Sequence, residues 1–138
     1  MDSLKVKDFM DRFPVKLSAD MTIAEAVELL LKEHKPGAPV VAANGHLVGF
    51  LSQQDCIGAM LKSSYYCDLA DMVKDRMRTD VLSVSPDYSV LLLAEQMLGN
   101  KPKIYPVVDH GQVVGVIDRF HILSAVNGYM KQCYTAPV

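Results

Sequence analysis

The chain repeats itself, and that repeat limits what it can fold into more than any other feature. Val6-Lys7-Asp8-Phe9-Met10 returns 67 positions later as Val73-Lys74-Asp75-Arg76-Met77. At the same offset Ser18 meets Ser85, Asp20 meets Asp87, Glu28 meets Glu95, and Pro39-Val40-Val41 meets Pro106-Val107-Val108. One residue is then lost in a turn. At an offset of 66, Gly45 meets Gly111, Val48-Gly49 meets Val114-Gly115, and Ala59 meets Ala125. The unit is longer than an ankyrin or tetratricopeptide repeat and occurs only twice. Two copies of a small motif packed as one body are therefore expected, with a cleft between related halves as a natural ligand site. A copy of roughly 60 residues alone buries too small a fraction of its surface to be secure.

Each copy carries the same order of signals. Val15-Lys16-Leu17-Ser18 and Leu82-Ser83-Val84-Ser85 alternate as half-buried strands do. Thr22-Ile23-Ala24-Glu25 is a capping box, and Ile23, Ala26, Val27, Leu30 and Leu31 fall near one helical face. Ser89 caps the second copy alone. Lys35-Pro36-Gly37 and Gly99-Asn100-Lys101-Pro102 are helix stops. Ala38–Val41 and Leu47–Leu51 flank Asn44-Gly45, a hairpin dipeptide because both positions tolerate positive φ. Tyr105–Val108 and Val113–Ile117 flank His110-Gly111. A last helix begins at Ser52 or Asp118. The order is β-α-β-β-α, twice. Residues 6–61 and 73–127 are the two motifs of one body spanning 1–138. Residues 62–72 read as a connector: a loop through Lys62–Tyr66, then a short helix at Leu69–Met72. Residues 128–138 read as a partly disordered tail.

Composition excludes several classes. A net charge of −2 without a long basic run does not ask for nucleic acid. No apolar run approaches the roughly 20 residues of a membrane span. Cys56, Cys67 and Cys133 lack CxxC spacing, which fits free thiols in a reducing cytoplasm. His34, His46, His110 and His121 lie too far apart for a zinc pattern. Asp11-Arg12 and Asp75-Arg76-Met77-Arg78 read most simply as solvated charge. No nucleophile with a paired base, Walker loop or Rossmann glycine pattern is present, so a non-enzyme is expected.

The tandem order resembles the CBS domain pair, or Bateman module, over Val6 to about Val126. Three elements carry the resemblance: Val-Lys-Asp-x-Met twice, Pro-Val-Val twice, and Gly49-Phe50-Leu51-Ser52-Gln53-Gln54-Asp55, which matches the family's Gly-apolar-apolar-Ser/Thr-x-x-Asp ending. It implies an α+β fold of two CBS motifs packed with pseudo-twofold symmetry. It also implies a regulatory module that binds an adenosine-containing ligand between the motifs and signals to a protein partner in trans. AMP, ADP, ATP or another such ligand is implied, with no required cofactor. The family's disc-like pairing implies a homodimer. So does Leu91-Leu92-Leu93, which cannot face one core from a single helix.

The resemblance places Asp55 at the ribose position, where a carboxylate can accept from two adjacent hydroxyls. Ser52 would face the ribose or phosphate side at a helix N-terminus. Leu17, Ala38, Pro39 and Val40 could line an adenine slot. The same Ser-x-x-Asp is close to a capping box, and the two roles can coexist. The second copy departs from the pattern, with Asp118 for Ser and His121 for Asp. The first has Gln54 where the family often carries Arg, so Lys16, Lys35 or Arg119 would have to neutralise a phosphate. The competing reading is an interaction scaffold that has lost nucleotide binding.

Overall fold

A computed structural model describes residues 4–64 and 70–135. After a 3₁₀ turn at Val6–Asp8 come β1 (Leu17–Ser18), α1 (Ile23–Lys32), β2 (Gly37–Val41), β3 (Leu47–Ser52) and α2 (Gln53–Ser64). Then follow α3 (Val73–Arg76), α4 (Val90–Met97), β4 (Ile104–Asp109), β5 (Gln112–Asp118) and α5 (Arg119–Thr135). The class is α+β, as the sequence implies.

Local chemistry explains most boundaries. Glu25 N–H donates to Thr22 Oγ1 at 3.1 Å, and Thr22 N–H reaches back to Glu25 Oε1 at 3.4 Å, closing the capping box. Ser89 Oγ alone accepts from Leu92 N–H at 3.3 Å. On α1, Ile23, Ala26 and Leu30 are buried and Val27 partly so. Leu31 is 62% exposed, because it lies at the edge of the apolar stripe. On α4, Leu93 is buried and Leu92 is half exposed.

Sheet topology is unequal between the copies. β1-β2-β3 form one sheet, with β1 parallel to β2 (Leu17↔Val40) and β2 antiparallel to β3 (Pro39↔Phe50). β4 and β5 form another. The expected strand at Leu82–Ser85 is reduced to a single parallel bridge, Val84↔Val107. Gly45 takes φ +86° but Asn44 does not take positive φ, because the first hairpin turns over a longer loop with a bulge at Val40/Val41. His110 and Gly111, at φ +51° and +82°, both do.

Three further sequence expectations fail. Lys62–Ser64 continue α2 rather than starting a loop, since nothing there breaks a helix. Ala70–Met72 are not helical and the short helix is Val73–Arg76, with Met72 in extended conformation at its N-cap and its N–H held by Asp75 Oδ2 at 2.8 Å. Residues 129–135 are the end of α5 rather than a disordered tail, because no proline interrupts the helix before Pro137. Tyr65–Leu69 and residues 136–138 lie outside the described residues.

The chain forms two compact units. One comprises residues 14–81 with 111–113; the other comprises 1–13, 82–110 and 114–138. Each contains one motif, but the opening segments are exchanged. Val73 is buried with Leu17, Ile23, Ala26, Leu30, Ala38, Val40, Leu51, Cys56 and Ala59. Val6 is buried with Val84, Val90, Leu93, Met97, Tyr105, Val107, Ile117, Ile122 and Ala125. These two sets of ten are the same positions at the repeat offset. The backbone bonds agree: Val73 N–H donates to Met21 O and Val6 N–H to Tyr88 O, at 2.8 and 3.0 Å. The surface pairs Lys74–Asp20 and Lys7–Asp87 match as well, at 3.4 and 3.1 Å.

Candidate functional site

In the first unit the exchanged segment builds the site. Its backbone pairs with β3: Phe50 N–H donates to Arg78 O and Arg78 N–H to Phe50 O, both at 2.9 Å. Gly49 permits this approach. A Cβ there would lie 2.6 Å from Met77 Sδ and 2.8 Å from Arg78 O.

β3 ends at Ser52, and α2 follows. Ser52 N–H and Oγ both donate to Asp55 Oδ2, at 3.0 and 2.8 Å, and Asp55 N–H returns to Ser52 Oγ at 3.1 Å. The capping box is therefore formed, and it engages Oδ2. Asp55 Oδ1 instead faces Arg78 Nη2 at 3.7 Å, with the carboxylate side chain 15% exposed and the guanidinium side chain 63% exposed. Next in the helix, burial and secondarily the Asp55 charge push the Cys56 thiol pKa up.

Beside Arg78, Met77 lines an open groove of about 530 Å³ together with Lys16, Leu17, Met21, Val41 and Val48. Its walls are mostly apolar, and both Lys16 and Asp20 contribute to them. Such a groove suits a flat apolar group, and Asp55 Oδ1, outside the lining, can accept hydroxyl protons. Of the residues proposed from sequence, Ser52 and Asp55 are in contact, and Lys16 and Leu17 share the groove. Ala38, Pro39 and Val40 are fully buried and do not line it. Lys35 lies near the start of α2, its carbonyl accepting from Gln53 Nε2 at 2.8 Å. Arg119 belongs to the other unit. The residue missed was Arg78, read as solvated charge. Its neighbour Arg76 is not simply solvated either, since its Nε donates to Asp71 Oδ2 at 2.6 Å.

The second unit arranges different chemistry on the same backbone. Asp11 stands where Arg78 stands, bonded to Val116 through both backbone groups at 2.8 and 3.0 Å. Asp118 Oδ1 caps α5 by accepting from His121 N–H at 3.1 Å. The same oxygen lies 2.8 Å from His121 Nδ1, and Asp118 N–H donates to that nitrogen at 3.3 Å.

Comparison with known proteins gives the same architecture. The chain is 34% identical over 89% of its length to the A-adding tRNA nucleotidyltransferase of Aquifex aeolicus, but it spans only 14% of that protein. It spans 39% of the MJ1225 protein of Methanocaldococcus jannaschii. A Vibrio cholerae protein assigned to acetoin utilization, AcuB, superposes with a TM-score of 0.84 at 28% identity, covering 98% of both chains. CBSX2 of Arabidopsis thaliana, solved in complex with AMP, gives 0.81 at 25% identity over 93% of this chain and 99% of that one. The CBS domain pair of MJ0100, solved with 5′-methylthioadenosine and S-adenosyl-L-methionine, gives 0.77 at 25% identity over 91% of this chain and 97% of that one. The CBS domain family matches residues 6–62 and again 73–128. The chain belongs to the CBS domain family and carries two copies of that domain.

Proposed function

We propose that the protein is a regulatory module that binds an adenosine-containing nucleotide at its first CBS motif. Asp55 takes the ribose, Ser52 fixes the carboxylate, and the groove of Lys16 and Leu17 takes the base. The observation that carries this reading is that the helix cap engages Oδ2 of Asp55 and leaves Oδ1 beside Arg78, whose neighbour Met77 lines an apolar groove. AMP, methylthioadenosine and S-adenosylmethionine, found with the relatives, share the adenosine that such a site would recognise. Binding regulates a partner protein in trans only if ligand affinity differs between two arrangements of the chain. The free thiols Cys56 and Cys133 fit a reducing cytoplasm.

Homodimerisation completes the proposal. Ile57 and Leu61 on α2, and Phe120 and Leu123 on α5, are each more than half exposed, and a second copy would cover such surfaces. Light scattering at tens of micromolar should give twice the chain mass. The scaffold reading draws on one feature, the second motif's Asp118 and His121, which satisfy each other.

Calorimetric titration with AMP, ADP, ATP, S-adenosylmethionine and NAD tests the ligand. Asp55→Ala should weaken binding by about ten- to a hundredfold, the cost of losing a charged hydrogen bond. Equal binding by a folded Asp55→Ala would leave the residue as a cap only.

A further inference from the structure

We propose that Arg78 is the phosphate-recognising residue of the first motif, so that this motif prefers phosphorylated adenosine nucleotides to adenosine itself. This rests on the adenosine reading above and adds a specificity that Ser52 and Asp55 cannot provide. Neither of those residues is a cation, and Asp55 alone would repel a phosphate.

Three observations place Arg78. Its backbone is fixed on β3 by the paired bonds to Phe50, and Gly49 leaves no Cβ to lift it away. Its neighbour Met77 lines the groove, and its own guanidinium stands beside Asp55 at the first turn of α2. Its contact with Asp55 Oδ1, at 3.7 Å, is beyond hydrogen-bonding distance, and its side chain is 63% exposed. A long pair between an exposed guanidinium and a carboxylate is weak. The fork of N–H donors can therefore turn to a phosphate, which it fits in bidentate fashion, while screening Asp55 from the same charge.

The second motif supplies the contrast. Asp11 replaces Arg78 at the equivalent backbone position, and Asp118 stands at the helix start. That combination is repulsive to phosphate.

The test is calorimetry of the full chain with adenosine and AMP, using wild type, Arg78→Ala, Arg78→Lys and Lys16→Ala, with thermal melts as folding controls. Wild type should bind AMP about ten- to a hundredfold tighter than adenosine, as a charged hydrogen-bonded pair provides. Arg78→Ala should bring the two affinities together by weakening AMP and leaving adenosine unchanged. Arg78→Lys should keep part of the preference. A preference that survives in folded Arg78→Ala, or that collapses only in Lys16→Ala, overturns the assignment to Arg78 while the adenosine reading stands. Binding of neither compound by wild type overturns both.

Discussion

The two motifs agree inside and disagree at the rim. Ten buried positions coincide pair by pair, from Val73 and Val6 to Ala59 and Ala125. At the start of the last helix, however, Ser52, Asp55 and Arg78 face Asp118, His121 and Asp11. Burial demands an apolar side chain wherever the backbone points inward, so it preserves positions through duplication. It does not preserve sizes. Ala38, Ala26 and Cys56 in the first core stand against Tyr105, Leu93 and Ile122 in the second, and each core is packed around its own set. The rim is constrained only by capping, which Ser or Asp performs equally well. Ligand chemistry could therefore change there without cost to the fold.

The strongest way to break the equivalence is to empty the cores at matched positions. Leu51 and Ile117 are both fully buried. Alanine at either should cost about 2–5 kcal/mol of unfolding free energy by denaturant titration. A near-zero effect at one site would show that its motif is not a structural equal. The close approaches come next. Alanine at Gly49 meets Met77 Sδ and Arg78 O, and alanine at Gly115 meets Asp11 O at 2.6 Å and Met10 Sδ at 2.8 Å. Each should cost about 1–3 kcal/mol, and Gly49→Ala alone should also weaken nucleotide binding. A smaller effect separates the caps: Thr22→Ala removes a capping box and Ser89→Ala a single bond, each costing about 1 kcal/mol, with Thr22 the larger.

Two further effects are smaller still and sharpen the contrast between cores. Tyr105 buries a hydroxyl with no partner among the described residues, at the position held by Ala38. Tyr105→Phe should leave stability unchanged or raise it by up to about 1 kcal/mol in a thermal melt. A clear drop would reveal a hidden partner. Cys56, opposite Ile122, has its pKa raised from 9.0, chiefly by burial and then by Asp55. A raised folded pKa means that stability is fully present below pH 9 and is lost as pH rises through the higher value, because the unfolded chain ionises first. Replacing Cys56 by Ala should flatten that alkaline decline, measured by denaturant titration from pH 8 to pH 10.

Much of this molecule was legible in its sequence. Thr22 with Glu25 and the hairpin glycines are local signals, and local chemistry decides them, whereas of the two alternating segments only Leu17–Ser18 became a strand. The repeat offset predicted which residues would be equivalent. It could not predict which copy a segment would join. Val6 and Val73 are the same residue and Met10 matches Met77, so burial energy read from sequence is equal for either assignment. The exchange was invisible for that reason, and Arg78 was invisible with it: its partner Asp55 lies in the other copy of the repeat. Ala38, Pro39 and Val40 were correctly read as strand. Sequence alone did not reveal that, of this strand, Val41 lines the groove while Ala38, Pro39 and Val40 are buried away from it.

The exchange of opening segments also sets an order of events during synthesis. The core around Leu17 needs only Val73 to close, so it can be completed while the rest of the chain is still being made. Val6 leaves the ribosome before Val73, yet the core that buries it is unfinished until Ala125 appears. At about 5–20 residues per second, that wait is on the order of ten seconds. For that interval the apolar strip around Val6 lacks its full core, and it stays open to chaperones and to misassembly.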